Sequence, residues 1–163
     1  MTFAALKPTG TKREIYSELA LAARGLFKDE RDAIANAANL SSLIFNGLDD
    51  LNWAGFYFLK GQMLVLGPFQ GNPACVRIEL GKGVCGTAAA QRATLVVADV
   101  AKFPGHIACD IASRSEIVVP LVANGLLIGV LDIDAPIAAR FDAEDREGLE
   151  TLAKLWLQAS DRQ

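Results

Sequence analysis

From Thr11 to Leu48, apolar side chains recur every three or four positions, the period of amphipathic helices. Thr11 and Glu14 stand at the spacing of a capping box, which satisfies otherwise unpaired amides at a helix start. The first predicted helix turns Ile15, Leu19, Ala22 and Ala23 to one face. A second starts near Asp29, where acidic residues suit the positive end of the helix dipole. Its stripe runs through Ile34, Ala37, Ala38, Ser41, Ile44, Phe45 and Leu48, and Asp49-Asp50 ends it.

The period then changes. Trp53 to Leu59 is aromatic and apolar, which favours a strand. Lys60-Gly61-Gln62 turns it back into a second strand, Met63 to Leu66, followed by a predicted loop across Gly67-Pro68, Gly71 and Pro73. Ala74 to Leu80 alternates, with Cys75 and Arg77 on one face and Val76 and Ile78 on the other. Gly81-Lys82-Gly83 opens a short alanine-rich helix from Cys85 to Gln91, and Leu95 to Val97 is a short strand. Residues 98–113 lack a clean period, and long loops of this kind are often functional. Ile117 to Val122 and Leu126 to Asp132 flank Asn124-Gly125, the pair that favours a type I′ hairpin turn. Asp142 caps a last helix that turns Leu149, Leu152, Ala153 and Trp156 inward. Strands joined by hairpins, with helices at both ends to cover them, predict an α+β domain with a central antiparallel sheet.

Composition narrows the function. The chain has 163 residues, the size of one domain, and shows no repeat or linker; residues 1–10 read as a less ordered N-terminal extension. Sixteen Lys and Arg against 19 Asp and Glu give a net charge of −3, unlike the basic face of a general nucleic-acid binder. No apolar run approaches the roughly 18 residues of a membrane span, and the start carries no cleavable signal pattern. The expectation is a soluble cytoplasmic protein.

Three cysteines, Cys75, Cys85 and Cys109, lie close together in the sequence, and an odd number without a signal peptide argues against a disulfide framework. Three readings stand: small buried hydrophobes, a zinc site completed by His106, or a thiol enzyme cycling through a disulfide. Zinc is disfavoured by the absence of a Cys-x-x-Cys pair. Gly81-Lys82-Gly83 lacks the spacing of a phosphate-binding loop. Cys85, near a helix N-terminus and Lys82, reads as the thiol most favoured to ionise. Cys109 follows the lone His106 by three residues, while the adjacent Asp110 opposes its ionisation. Asp132 and Asp134 point to one face of an extended strand, and Glu116 precedes its partner strand. Carboxylates crowded in this way are either the solvated entry to a loop or the partners of a cationic ligand group or a shared proton.

Six segments carry a resemblance: Trp53-Ala54-Gly55-Phe56-Tyr57, Leu66-Gly67-Pro68-Phe69-Gln70-Gly71, Gly83-Val84-Cys85-Gly86-Thr87-Ala88, Gly105-His106-Ile107-Ala108-Cys109-Asp110, Ser115-Glu116-Ile117-Val118 and Gly129-Val130-Leu131-Asp132-Ile133-Asp134. Together they resemble the free methionine-(R)-sulfoxide reductases, cytoplasmic enzymes built on a GAF domain. The resemblance implies reduction of free methionine-(R)-sulfoxide by a thiol, through a sulfenic acid and a disulfide that thioredoxin resets. It places the nucleophile at Cys109, the resolving thiol at Cys75 and a third, relaying cysteine at Cys85. Glu116, Asp132 and Asp134 become the carboxylates around the substrate, with Glu116 among the catalytic groups, and Trp53 and Tyr57 wall the pocket. No cofactor and no metal are implied, and members of the family are often homodimers. A GAF sensor that binds a small ligand without turnover is the alternative.

Overall fold

The computed structural model describes residues 6–161 except 106, 108 and 109. Thr11 and Glu14 do close a capping box at the start of α1 (Lys12–Phe27). The buried stripe of α1 is Tyr16, Leu19, Ala23 and Phe27, a face rotated from the expected one. Tyr16 accounts for the rotation, since its hydroxyl donates to the fully buried Asp145 at 2.9 Å. Lys12 and Arg140 pair with the same carboxylate. Ahead of the helix, Pro8 is buried and Leu6 packs on the core, so residues 6–10 lie against the domain.

α2 (Ala33–Gly47) begins later than expected, because Asp32 rather than Asp29 is its cap. The Asp32 side chain accepts from the amides of Ile34 and Ala35, while Glu30 binds those of Arg31 and Asp32. Asn36, Ala37, Leu40, Ser41 and Ile44 face inward, whereas Ile34 and Ala38 are exposed. Ser41 satisfies its hydroxyl on the carbonyls of Ala37 and Pro68.

The remaining elements are β1 (Trp53–Lys60), β2 (Met63–Gly71), β3 (Arg77–Glu79), α3 (Gly83–Gln91), β4 (Leu95–Val97), β5 (Ser115–Ala123), β6 (Leu126–Ala135) and α4 (Ala143–Ala159). The strands form one sheet in the order β3-β2-β1-β6-β5-β4, with every neighbouring pair antiparallel. β2 runs on through Pro68, where a loop was expected. Gly55 faces Phe69 and Tyr57 faces Leu66, which leaves Gly67 and Pro68 opposite Phe56 alone. A bulge there absorbs the proline's missing amide. β3 is shorter than the alternation of residues 74–80 suggested. The Asn124-Gly125 hairpin forms as expected, with both residues at positive φ (51° and 76°).

The two faces of the sheet are covered differently. α1, α2 and α4 bury Phe56, Ile117, Leu131 and Ile133 on one side, where Trp156 meets the rings of Phe56 and Phe58 at 5.1 and 5.7 Å. The other side holds Trp53, Tyr57, Val118 and Val130 under α3, with Cys85, Ala88 and Ala89 against them. Alternation along β5 and β6 sends Glu116, Asp132 and Asp134 to this second face. Adjacent strands then align them, Glu116 opposite Asp134 and Val118 opposite Asp132.

Candidate active site

A cavity of about 40 Å³ lies between α3 and the sheet. Trp53 and Tyr57 from β1, Cys85 from α3, Glu116 from β5 and Asp132 and Asp134 from β6 line it, with Lys82, Ile107, Asp110 and Ser113 also contributing. Seven of the eight sequence-predicted site residues are therefore within or beside one site. Cys75, the one of these that does not line the cavity, sits in the segment next to the lining residue Ala74. Cys109, like His106, lies outside the described residues.

Trp53 and Tyr57 are both buried and stack with ring centroids 5.8 Å apart. Phe69 stacks on the indole from β2 at 5.3 Å. The Trp53 Nε1 donates to Asn72 O at 3.1 Å, and the Tyr57 hydroxyl donates to Cys75 O at 3.0 Å. The two aromatics therefore anchor the segment that carries Cys75, besides walling the cavity. Burial, followed by the nearby Asp132, drives the Tyr57 phenol upward, so it remains a proton donor.

Cys85, Glu116 and Asp132 each bring one donor atom within 4.8 Å of the others. Cys85 Sγ lies 3.8 Å from Glu116 Oε1. Burial first, and Asp132 next, push the Glu116 carboxyl well above the usual carboxylate range. Asp134 is raised by the same two causes in the same order. Burial raises Asp132 to about 6, with bonds from Cys85 and Glu116 pulling the other way. Asp132 is thus the member that ionises most readily, and its Oδ1 is buried without a partner. Three carboxyls held this way can donate a proton and accept a cationic group in the same small space.

Cys85 does not behave as its sequence position suggested. It is a buried free thiol, pushed well above the ordinary range by burial and then by Asp132 and Glu116. The helix N-terminus and an exposed Lys82 do not outweigh two carboxyls within bonding reach. Cys75 is disulfide-bonded in this structure. Asn52, Asp110 and Ser113 were not singled out as site residues. No local pattern marks Asn52 or Ser113, and Asp110 is marked only by its resembling segment, because the loop after residue 98 meets the start of β1 only in the folded chain.

The GAF domain pattern matches residues 13–158. Among curated relatives, the Escherichia coli protein called free methionine-R-sulfoxide reductase is 52% identical over 86% of this chain and 86% of its own. The solved free methionine-R-sulfoxide reductase of Neisseria meningitidis, in complex with its substrate, is 42% identical, with a TM-score of 0.91 over 96% of this chain and 94% of that one. The chain belongs to the GAF-domain free methionine-R-sulfoxide reductase family. A further similar structure, a putative GAF sensor protein from Burkholderia vietnamiensis, is 63% identical, with a TM-score of 0.90 over 93% of this chain and 96% of that one. For this GAF domain the expected architecture, a central antiparallel sheet with flanking helices, is the one observed. No helix among the described residues is long and apolar enough to cross a membrane.

Proposed function

We propose that the protein reduces free L-methionine (R)-sulfoxide to L-methionine, using Cys109 as nucleophile, Cys75 as resolving thiol and cytoplasmic thioredoxin as reductant. The observation that carries this reading is the set of carboxyls, buried Glu116 and Asp132 with half-buried Asp134, in one cavity with the Trp53–Tyr57 wall. The Cys109 thiolate attacks the sulfoxide sulfur while a protonated carboxyl gives its proton to the oxygen. Glu116, raised above the carboxylate range, is suited to that donation. The oxygen passes to the Cys109 sulfur as the substrate S–O bond and the transient bond between the two sulfurs break, which leaves Cys109 as a sulfenic acid and releases methionine as the thioether. Cys75 then displaces water from the sulfenic acid, and the sulfurs join in a disulfide. A dithiol protein takes the oxidation over by exchange.

The disulfide already present at Cys75 agrees with that role. Asp132, the carboxyl that ionises most readily, would hold the substrate ammonium with Asp134, and the aromatic wall would receive the methyl group. A methionine inside a protein lacks that ammonium, so the site favours the free amino acid. Burial beside two carboxyls suits Cys85 to holding a proton near Glu116, with disulfide relay as its slower role. No resident cofactor or metal enters the cycle. As in much of the family, the working form would be a homodimer.

Thioredoxin-coupled turnover on each sulfoxide epimer, with Cys109→Ser as control, tests the reading. The expected result is turnover of the R epimer alone, lost in the variant. Turnover of neither epimer by the fully reduced protein would replace the reductase with a ligand-binding GAF sensor.

A further inference from the structure

Asn52 directly precedes β1, and its side chain joins parts of the pocket that come from distant positions in the sequence. Its Nδ2 donates to Asp110 Oδ2 at 3.1 Å and to Ser113 Oγ at 3.0 Å. Its main-chain amide donates to Asp134 O at 3.0 Å. The Ser113 hydroxyl in turn donates to the Asp134 carboxyl. Asp110, Ser113 and Asp134 line the cavity, and Asn52 stands behind them. The turn they border is closed locally by Ala112 N to Asp110 Oδ1 at 2.9 Å and Ser113 N to Asp110 O at 3.3 Å. Asn72 adds only a long bond to Asp110 at 3.4 Å.

A carboxylate accepts and cannot donate, so the amide nitrogen is the end of Asn52 that must face Asp110. Its own Oδ1 is buried with no partner. The side chain is therefore oriented by what it donates, and both donations go to the turn.

We propose that Asn52 is a positioning residue, which ties the turn of Asp110 and Ser113 to the end of the sheet that carries Asp134. It thereby sets where Asp110 and Ser113 sit against the carboxyls that line the cavity. The inference rests on the proposed reductase chemistry, in which Cys109 immediately precedes Asp110. Displacements of about 1 Å at a reacting group cost up to about a hundredfold in rate, so loss of the tie falls on kcat more than on substrate affinity.

Asn52→Asp, Asp110→Asn and the double exchange test it. Asn52→Asp sets a second carboxylate against Asp110, whose own carboxyl the Ala112 amide keeps below its usual range. At pH 8, kcat on free methionine-(R)-sulfoxide falls by about tenfold or more with KM within about threefold, and it recovers toward pH 5 as the pair shares a proton. In the double exchange the new amide at position 110 keeps its oxygen on Ala112 N and donates to the new carboxylate, restoring the tie in reverse. Its kcat should exceed the product of the two single effects by about tenfold. Simple multiplication of the single effects, or a pH-independent loss in Asn52→Asp, overturns the proposal. Hydrogen exchange reads the same tie without turnover: amides 112–114 lose protection in Asn52→Asp at pH 8 and regain it in the exchange. Unchanged protection overturns the proposal, whereas an inactive wild type with the protection pattern intact sinks the reductase reading alone.

Discussion

Replacing Asp132 by Asn should stabilise the ligand-free protein above neutral pH while removing a carboxylate proposed to hold the substrate ammonium. Burial lifts the Asp132 carboxyl from 3.8 to about 6. The folded protein therefore keeps a proton there at a pH where the unfolded chain has released it. Stability from this group is fully present below about pH 4, falls as the pH rises toward 6, and is lost above that. The gap amounts to about 3 kcal/mol at about 1.4 kcal/mol per pH unit. Asn cannot ionise, so the variant escapes this loss, and it also relieves Glu116 and Asp134, both of which Asp132 pushes upward. Against that stand the hydrogen bonds that Cys85 and Glu116 make to the carboxylate. A net gain of roughly 1–3 kcal/mol at pH 8 remains, or roughly 2–10 °C in Tm for a domain of this size. Scanning calorimetry of both proteins at pH 4, 6 and 8 reads it directly. The difference should open between pH 4 and 6 and level off above. A difference independent of pH, or a variant less stable at pH 8, would refute the account of the buried carboxyls.

Three other outcomes follow from the same structure. Cys85, buried and held protonated, should react with iodoacetamide at pH 8 roughly a hundredfold more slowly in the folded protein than in denaturant, as read by mass spectrometry; comparable rates would mean the thiol is accessible and ionised. In Gly148→Ala the new methyl would overlap the Tyr16 ring between α1 and α4, so urea unfolding should show a loss of about 1–3 kcal/mol, against near-neutrality if the helices can part freely. Tyr57→Phe removes the bond to Cys75 O and should speed reduction of the Cys75 disulfide by dithiothreitol severalfold, with Tm lowered by a few degrees at most; an unchanged reduction rate would show that the hydroxyl does not restrain that segment.

Much of this protein could be read from its chain because local patterns and the tertiary structure agree. The capping residues Thr11 and Asp142, the Asn124-Gly125 turn and the inward face of α4 depend on neighbours a few positions away, and each formed as expected. The period of two in β1, β5 and β6 also decided which aromatics and carboxyls share a face, and the motif order identified the family. Other features depended on distant partners. Pro68 continues a strand because Phe56 across the sheet accommodates a bulge, and α1 rotates because Tyr16 must reach Asp145. Cys85 looked activated when only its helix and Lys82 were in view. The sheet sets two carboxyls against it and removes water, and desolvation with like charge outweighs a partial helix dipole. Asn52 shows the same limit: its meaning lies in bonds to Asp110 and Ser113, some sixty residues on, and no local pattern encodes a contact that only folding creates.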